Sequence, residues 1–124
     1  MRDILFRGKR LDNGEWVYGF YCHVPRGRLD RDEHLIQTVK KSGKMGMLHC
    51  VDPSTVGQYT GLEDKHGKRI IEGDILSFRA GRTHVVRFED GAFILEDSAI
   101  PIPFAIKSEI IGNIHDNPEL IYKE

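Results

Sequence analysis

Residues 58–88, QYTGLEDKHGKRIIEGDILSFRAGRTHVVRF, are the most regular part of the sequence and decide its fold class. Short apolar segments alternate here with turns that contain glycine, at residues 64–67 and again at residues 80–82. In an extended chain, alternate residues such as Leu76 and Phe78 lie on the same side and can face a core. Several short strands separated by such turns are typical of a small β-barrel or sandwich.

The alternation continues toward the N-terminus. Five apolar side chains recur at a period of two, which predicts a half-buried strand whose stripe faces a core. The stripe consists of Trp16, Tyr18, Phe20, Cys22 and Val24. An Asn13-Gly14 pair precedes it and tolerates the positive φ angles of a type I′ turn. Residues 4–24 are therefore predicted to form a β-hairpin.

Further strands are predicted along the rest of the chain, and no segment has convincing helical periodicity. They are placed at residues 34–39, 47–51, 69–71, 74–79, 83–88, 92–96 and 106–114. The predicted fold class is all-β. A chain of 124 residues has the size of one domain.

Composition excludes several classes of protein. Charged residues make up 30% of the chain, but the net charge is only −1, so no global field attracts nucleic acid or acidic membranes. Two cysteines are too few for a disulfide-stapled secreted domain of this length. No apolar run is long enough for a signal peptide or a membrane-spanning helix. We expect no membrane association and a cytoplasmic location.

Parts of the sequence resemble the YopX family of phage and prophage proteins. The matching stretches are residues 1–9, 14–19 and 58–75, with a closing match at residues 110–120. The resemblance implies an SH3-like β-barrel core with an additional N-terminal β-hairpin, encoded by a phage or an integrated element of a bacterial host. It brings no catalytic residues, because no biochemical activity is established for the family.

These observations predict one domain over residues 1–124, divided into three parts. An N-terminal β extension covers residues 1–57, the barrel core covers residues 58–115, and a tail covers residues 116–124. The predicted function is that of a non-enzymatic accessory protein that needs no cofactor and binds a host or phage protein. A homo-oligomer, in which the partner is another copy of this chain, is also considered. An enzyme without a recognisable motif is the third choice.

Two adjacent Cys–His pairs are the candidate metal ligands. Cys22-His23 and His49-Cys50 lack the Cys-x₂₋₄-Cys spacing of common zinc sites. Neighbouring residues of a strand also point to opposite faces, so one pair does not bind one ion without a bulge. Cys22 is expected to be a small core residue that continues the apolar stripe. No metal site is predicted.

Catalytic candidates are equally weak. Glu72 and Asp74 would share one face of a strand, but the flanking Gly73 predicts a wet turn with solvated carboxylates. No Gly-x-Ser-x-Gly nucleophile elbow is present. Residues 57–61 lack the Lys-Ser/Thr ending of a phosphate-binding loop. No catalytic residue is predicted.

A basic segment carries the alternative prediction, nucleic-acid binding. Residues 26–44 contain six basic and three acidic side chains. The basic residues are Arg26, Arg28, Arg31, Lys40, Lys41 and Lys44. Small barrels bind single strands with a basic groove and exposed aromatic rings. The aromatic residues of this chain are expected in the core, so a solvated loop is favoured over a binding groove.

Residues 25–51 carry no family signature, and they are where a protein partner is expected to bind. The segment contains Met45, Met47 and Leu48. Methionine-rich surfaces suit adaptable binding. The competing interpretation is a hairpin that folds onto the core of the same chain.

Overall fold

A computed structural model describes residues 3–26 and 30–121 of the chain. Ten strands lie within these residues, joined by turns and short 3₁₀ helices, which confirms the all-β prediction. The strands are β1 (Phe6–Lys9), β2 (Trp16–Val24), β3 (Glu33–Val39), β4 (Met45–Cys50), β5 (Gly57–Glu63), β6 (Arg69–Ile71), β7 (Asp74–Ser77), β8 (Thr83–Glu89), β9 (Ala92–Leu95) and β10 (Glu109–Asn113). The 3₁₀ helices are Pro53–Thr55, Arg79–Gly81, Ile102–Lys107 and Pro118–Leu120.

The strands pair antiparallel in two sheets, with the orders β4-β3-β2-β1-β5-β6 and β10-β7-β8-β9. Neither sheet closes on itself among the described residues, so the SH3-like barrel is not confirmed. No helix in residues 3–26 and 30–121 is long and apolar enough to cross a membrane.

The chain divides into two compact units, residues 3–58 and residues 59–121, which we call the N-terminal unit and the C-terminal unit. Strand β5 begins in the first unit and continues into the second. The division lies one residue from the predicted boundary between the β extension and the core. Organisation as a single domain stays a prediction.

The N-terminal unit packs a small apolar core against the inner side of its sheet. Ile36 and Val51 are almost completely buried there. Gly8 lies directly beside both side chains, and a Cβ added to it would be 3.2 Å from the nearest atom of each. Glycine therefore allows β1 to approach this core closely.

The apolar stripe of β2 faces the opposite way from its prediction. Tyr18 and Phe20 are 47% and 51% exposed, whereas Gly19 between them is buried. A Cβ on Gly19 would overlap the carbonyl oxygen of Gln37 on β3. The inner side of β2 thus has room for a glycine but not for the large stripe residues. The expectation that these aromatic residues lie in the core is wrong.

The C-terminal unit has a larger core, which is built from the family signature and the strands after it. The side chains of its buried cluster are at most 2% exposed. They are Ile70, Leu76, Val86, Leu95 and Ala105. Phe78 and Ile110 pack against this cluster from partly buried positions. Leu76 therefore faces the core as predicted, but Ile75 beside it is fully buried as well, so both sides of β7 are covered.

Asp64 organises the signature turn. It is 5% exposed, and its Oδ1 accepts hydrogen bonds from the backbone N–H groups of His66 and Lys68, both at 2.9 Å. Its Oδ2 accepts from the N–H of Ile110 at 3.0 Å, which ties β10 to the turn. Burial alone would raise the pKa of Asp64, but these three N–H donors outweigh it and lower the pKa below its ordinary value.

Asp74 also has a structural role. The carboxylate was expected to be solvated, but it is 2% exposed and accepts a hydrogen bond from the N–H of Ile71 at 2.8 Å. The bond spans the tight turn at Glu72-Gly73, where Gly73 has a φ of 94°. The expectation that Asp74 is solvated is therefore wrong, because its buried carboxylate accepts a backbone hydrogen bond across the turn.

Candidate functional site

One side of the N-terminal sheet exposes a cluster of large apolar side chains, which we call the apolar face. Its members are between 44% and 62% exposed. They are Tyr18, Phe20, Val39, Met45 and Leu48. Large apolar side chains are normally buried in a small domain, so a group of them on one surface is informative.

Strand register places these side chains together. Phe20 on β2 is opposite Gln37 on β3, and Gln37 is opposite Leu48 on β4, so the three form one row across the sheet. Val39 is opposite Met45 in the next row. Directly paired residues of neighbouring strands project from the same side of a sheet. The surface therefore joins β2 to the segment in which a partner site was predicted.

Met47 belongs to the same predicted segment, but its exposure has a different origin. A bulge interrupts the register of β3 and β4 between the rows of Gln37 and Val39. Met47 lies in this bulge and is 71% exposed, the largest value among the exposed apolar residues of the described chain.

The structure separates the predicted basic residues into two groups. Lys40, Lys41 and Lys44 lie in the exposed turn after β3. Arg26 and Arg31 lie in the connection before β3, and Arg28 lies outside the described residues. The two groups stand at opposite ends of a seven-residue strand, about 20 Å apart at the usual rise per residue. They do not form one continuous patch.

A second cluster lies on the other side of the β2–β3 pair and contains His23, Asp32 and His34. His23 and His34 are directly opposite in the register, and their rings stack with centroids 4.4 Å apart and planes 5° from parallel. Asp32 Oδ2 is 3.2 Å from His23 Nε2. One potential ligand atom from each residue lies within 4.8 Å of the others. We call this group the histidine cluster.

Each candidate Cys–His pair consists of consecutive residues of one strand, Cys22-His23 in β2 and His49-Cys50 in β4. Cys22 and His23 are consecutive in β2 and so project to opposite sides of the sheet, as the alternation predicts. Cys22 and Cys50 are both exposed, so the expectation of a buried Cys22 is wrong. The physical reason is the same as for Phe20, because both residues share the outward side of β2.

The C-terminal unit has a separate surface feature, an open groove of about 1000 Å³. Phe78, Ile100, Pro101 and Phe104 supply apolar lining, and Arg79 and Lys107 are among the cations around it. No sequence motif marks this groove, since its lining comes from three separated segments.

Comparison with known proteins establishes the family. The sequence model described as YopX protein matches residues 5–122, nearly the whole chain. This chain belongs to the YopX family. The crystal structure of protein EF1440 from Enterococcus faecalis is similar to it, with a TM-score of 0.63 and 25% sequence identity, over 98% of this chain and 99% of that chain. No curated protein matches it.

Membership of the YopX family confirms the resemblance in the sequence. In this YopX-family chain, the signature residues Asp64 and Asp74 hold turns together, whereas the exposed clusters lie outside the matching stretches except for Tyr18. Sequence reasoning missed the histidine cluster because His23 is eleven positions from His34 and only the strand register brings them together. A search for histidines on both sides of a predicted hairpin would have found the pair.

Proposed function

We propose that this protein is a non-enzymatic interaction module whose apolar face binds a second copy of the same chain. The observation that carries the proposal is the group of apolar side chains, 44–62% exposed, on one side of the N-terminal sheet. Contiguous exposed apolar surface of this kind marks binding sites on soluble domains. Tyr18 and Phe20 supply rigid aromatic area, and Met45 adapts its shape to a partner.

Two-fold symmetry allows a second copy as the occupant. The acidic residues Asp32 and Glu33 lie at the start of β3, and the lysines Lys40, Lys41 and Lys44 follow its end. A two-fold axis perpendicular to the strands would reverse the direction of one sheet against the other. The lysine turn of each copy would then lie beside the start of β3 in the other copy, where Arg26 and Arg31 accompany the acidic residues, so charge is nearly balanced at that contact.

The size of the face sets the expected strength of association. Three strands at the usual spacing and four to five residues of length cover roughly 10 by 17 Å before side chains are added. That area is below the roughly 800 Å² per partner of a standard stable interface. We therefore expect a dimer that forms at micromolar or higher concentration and dissociates on dilution.

Sedimentation equilibrium between about 5 and 500 μM tests this proposal. Leu48→Lys and Phe20→Lys place a charge in the central row, and each is expected to weaken dimerisation at least tenfold. Ile106→Lys is the matched control, because Ile106 is 51% exposed in the C-terminal unit and outside the apolar face. A wild-type protein that stays monomeric at the highest concentration contradicts the proposal, as does equal dimerisation in all variants.

Single-stranded nucleic acid is the second candidate, and exposed Tyr18 and Phe20 favour it. Bases stack on aromatic side chains of a sheet while nearby cations bind the backbone. Lys40 and Lys44 are within the exposed turn beside this face. Fluorescence anisotropy with oligo(dT) and oligo(rU) tests it. Binding should weaken steeply with salt and fall when Tyr18 and Phe20 are replaced by alanine.

Family membership supports three broader inferences. We infer that the chain is encoded by a phage or an integrated element, acts in the cytoplasm of a bacterial host and has an SH3-like arrangement of strands as its core. A host or phage protein is the competing occupant of the apolar face. Capture that is resistant to nuclease and abolished by Leu48→Lys, together with a monomeric wild type, would replace the second copy with such a partner.

A further inference from the structure

The histidine cluster contains the side chains of a metal site. His23 and His34 offer imidazole nitrogens and Asp32 offers a carboxylate oxygen, all three within 4.8 Å of one another. Two nitrogens and one carboxylate are a ligand set that zinc uses when other coordination positions are left for water or a further ligand. We propose that His23, Asp32 and His34 bind one Zn²⁺ ion.

The spacing is close to what an ion requires. Zinc–nitrogen and zinc–oxygen bonds of about 2.0–2.2 Å place two ligands of a tetrahedral ion about 3.4 Å apart. The ligand atoms of the cluster, at 4.8 Å or less, would have to approach by about 1.4 Å at most. The His23 ring must also turn out of its stack on His34, because the lone pairs of two parallel rings do not converge on one ion. The exposed side chains of His23 and Asp32, at 43% and 61%, leave room for these rotations.

Tyr21 prepares His34 for this role. The Tyr21 hydroxyl is 2.5 Å from His34 Nδ1. In the His34 tautomer that carries its proton on Nδ1, this N–H donates the hydrogen bond to the Tyr21 oxygen. Nε2 then carries the free lone pair of the ring. A second hydrogen bond that fixes the tautomer is typical of metal-binding histidines.

The histidine cluster is open to solvent, and an ion bound there would connect two strands. Asp32 and His34 also line an open cleft of about 900 Å³, through which water and ions reach the cluster. An ion bound here would link the end of β2 to the residues that begin β3. The cluster and the apolar face are on opposite sides of these strands, so this inference does not depend on the proposed function.

Calorimetric titration of chelator-treated protein without a histidine tag tests the proposal, with Zn²⁺ as the ligand. We expect one ion per chain and a dissociation constant in the micromolar range or below. His23→Gln, His34→Gln and Asp32→Asn should each weaken binding at least tenfold. His66→Gln is the matched control, because His66 is an exposed histidine paired with Glu109 and lies away from the cluster. It should bind zinc as the wild type does.

Two further measurements distinguish loss of the zinc site from loss of folding in the variants. Tyr21→Phe should keep the stoichiometry and weaken binding about tenfold or more through loss of the bond that orients His34. Circular dichroism and Trp16 fluorescence should show that each variant is folded. Wild-type affinity weaker than about 1 mM, or equal zinc affinity in the wild type and His34→Gln, overturns the proposal.

Discussion

The two units of this chain cover the sides of their strands differently. In the C-terminal unit, the neighbours Ile75 and Leu76 of β7 are both fully buried, so both sides of that strand are covered. In the N-terminal unit, Phe20 and Leu48 project from one side of the sheet and are more than half exposed. An alternating sequence indicates that the two sides of a strand differ in polarity, but it does not indicate which side packs against the core. The buried Gly19 marks the inner side of β2, where β3 approaches most closely.

The largest contrast in stability is expected between two strand leucines, one in each unit. Leu76→Ala removes a side chain with no exposed surface and should lower the free energy of unfolding by about 2–5 kcal/mol. Leu48→Ala removes one that is 54% exposed and should cost less than about 1 kcal/mol. Urea denaturation followed by circular dichroism measures both. Equal losses would contradict the assignment of inner and outer sides.

A substitution at Gly19 tests the inner side of β2 directly. Gly19→Ala places a methyl group against the Gln37 carbonyl, so the strands must separate. We expect a loss of about 3 kcal/mol, near the upper end of the usual cost of overpacking. Trp16 is the single tryptophan and lies in the N-terminal unit, so its fluorescence reports this change. Gly46→Ala is a weaker perturbation, because Thr38 Oγ1 can rotate away from the new methyl group.

In the C-terminal unit, replacing the buried carboxylate of Asp64 is also expected to lower the free energy of unfolding. Asp64→Asn loses an acceptor for one of three backbone donors and should cost about 1–2 kcal/mol at pH 7. The lowered pKa means that this stabilisation is present above the unfolded pKa and is lost as pH falls through the folded one. Wild type and variant should therefore converge below about pH 4. A difference that is constant from pH 7 to pH 3 would contradict this account.

The smallest expected effect concerns the two exposed cysteines. Cys22 and Cys50 flank Leu35 in one row, so their Cα atoms are two strand spacings, about 9.6 Å, apart. A disulfide needs less than about 7 Å. Reducing agent should leave the midpoint of unfolding unchanged, and both thiols should react with a thiol reagent in the folded protein. Protection of either thiol would show that this row is covered in solution.

Much of the strand pattern was predictable from sequence. Turns at Gly67 and Gly81 have the positive φ angles expected of them, 80° and 74°, and the strands after residue 69 lie where the alternation predicts them. Strand β5 was missed, because Gly57 and Gly61 interrupt its apolar pattern. Local pattern cannot reveal pairing between distant segments. For this reason the histidine cluster and the burial of Asp64 and Asp74 became visible only with the strand register.

The hydrogen bond from Ile110 to Asp64 also has a consequence for the order of folding. It joins residues 46 positions apart, so it forms only after a long loop has closed. The β7–β8–β9 meander needs only short loops and is expected to form earlier. Asp64→Asn should therefore speed unfolding much more than it slows folding. Stopped-flow kinetics in urea would then give a kinetic φ value near zero, where φ is the change in the folding barrier divided by the change in stability. The contacts of the signature turn with β10 would form after the transition state of folding.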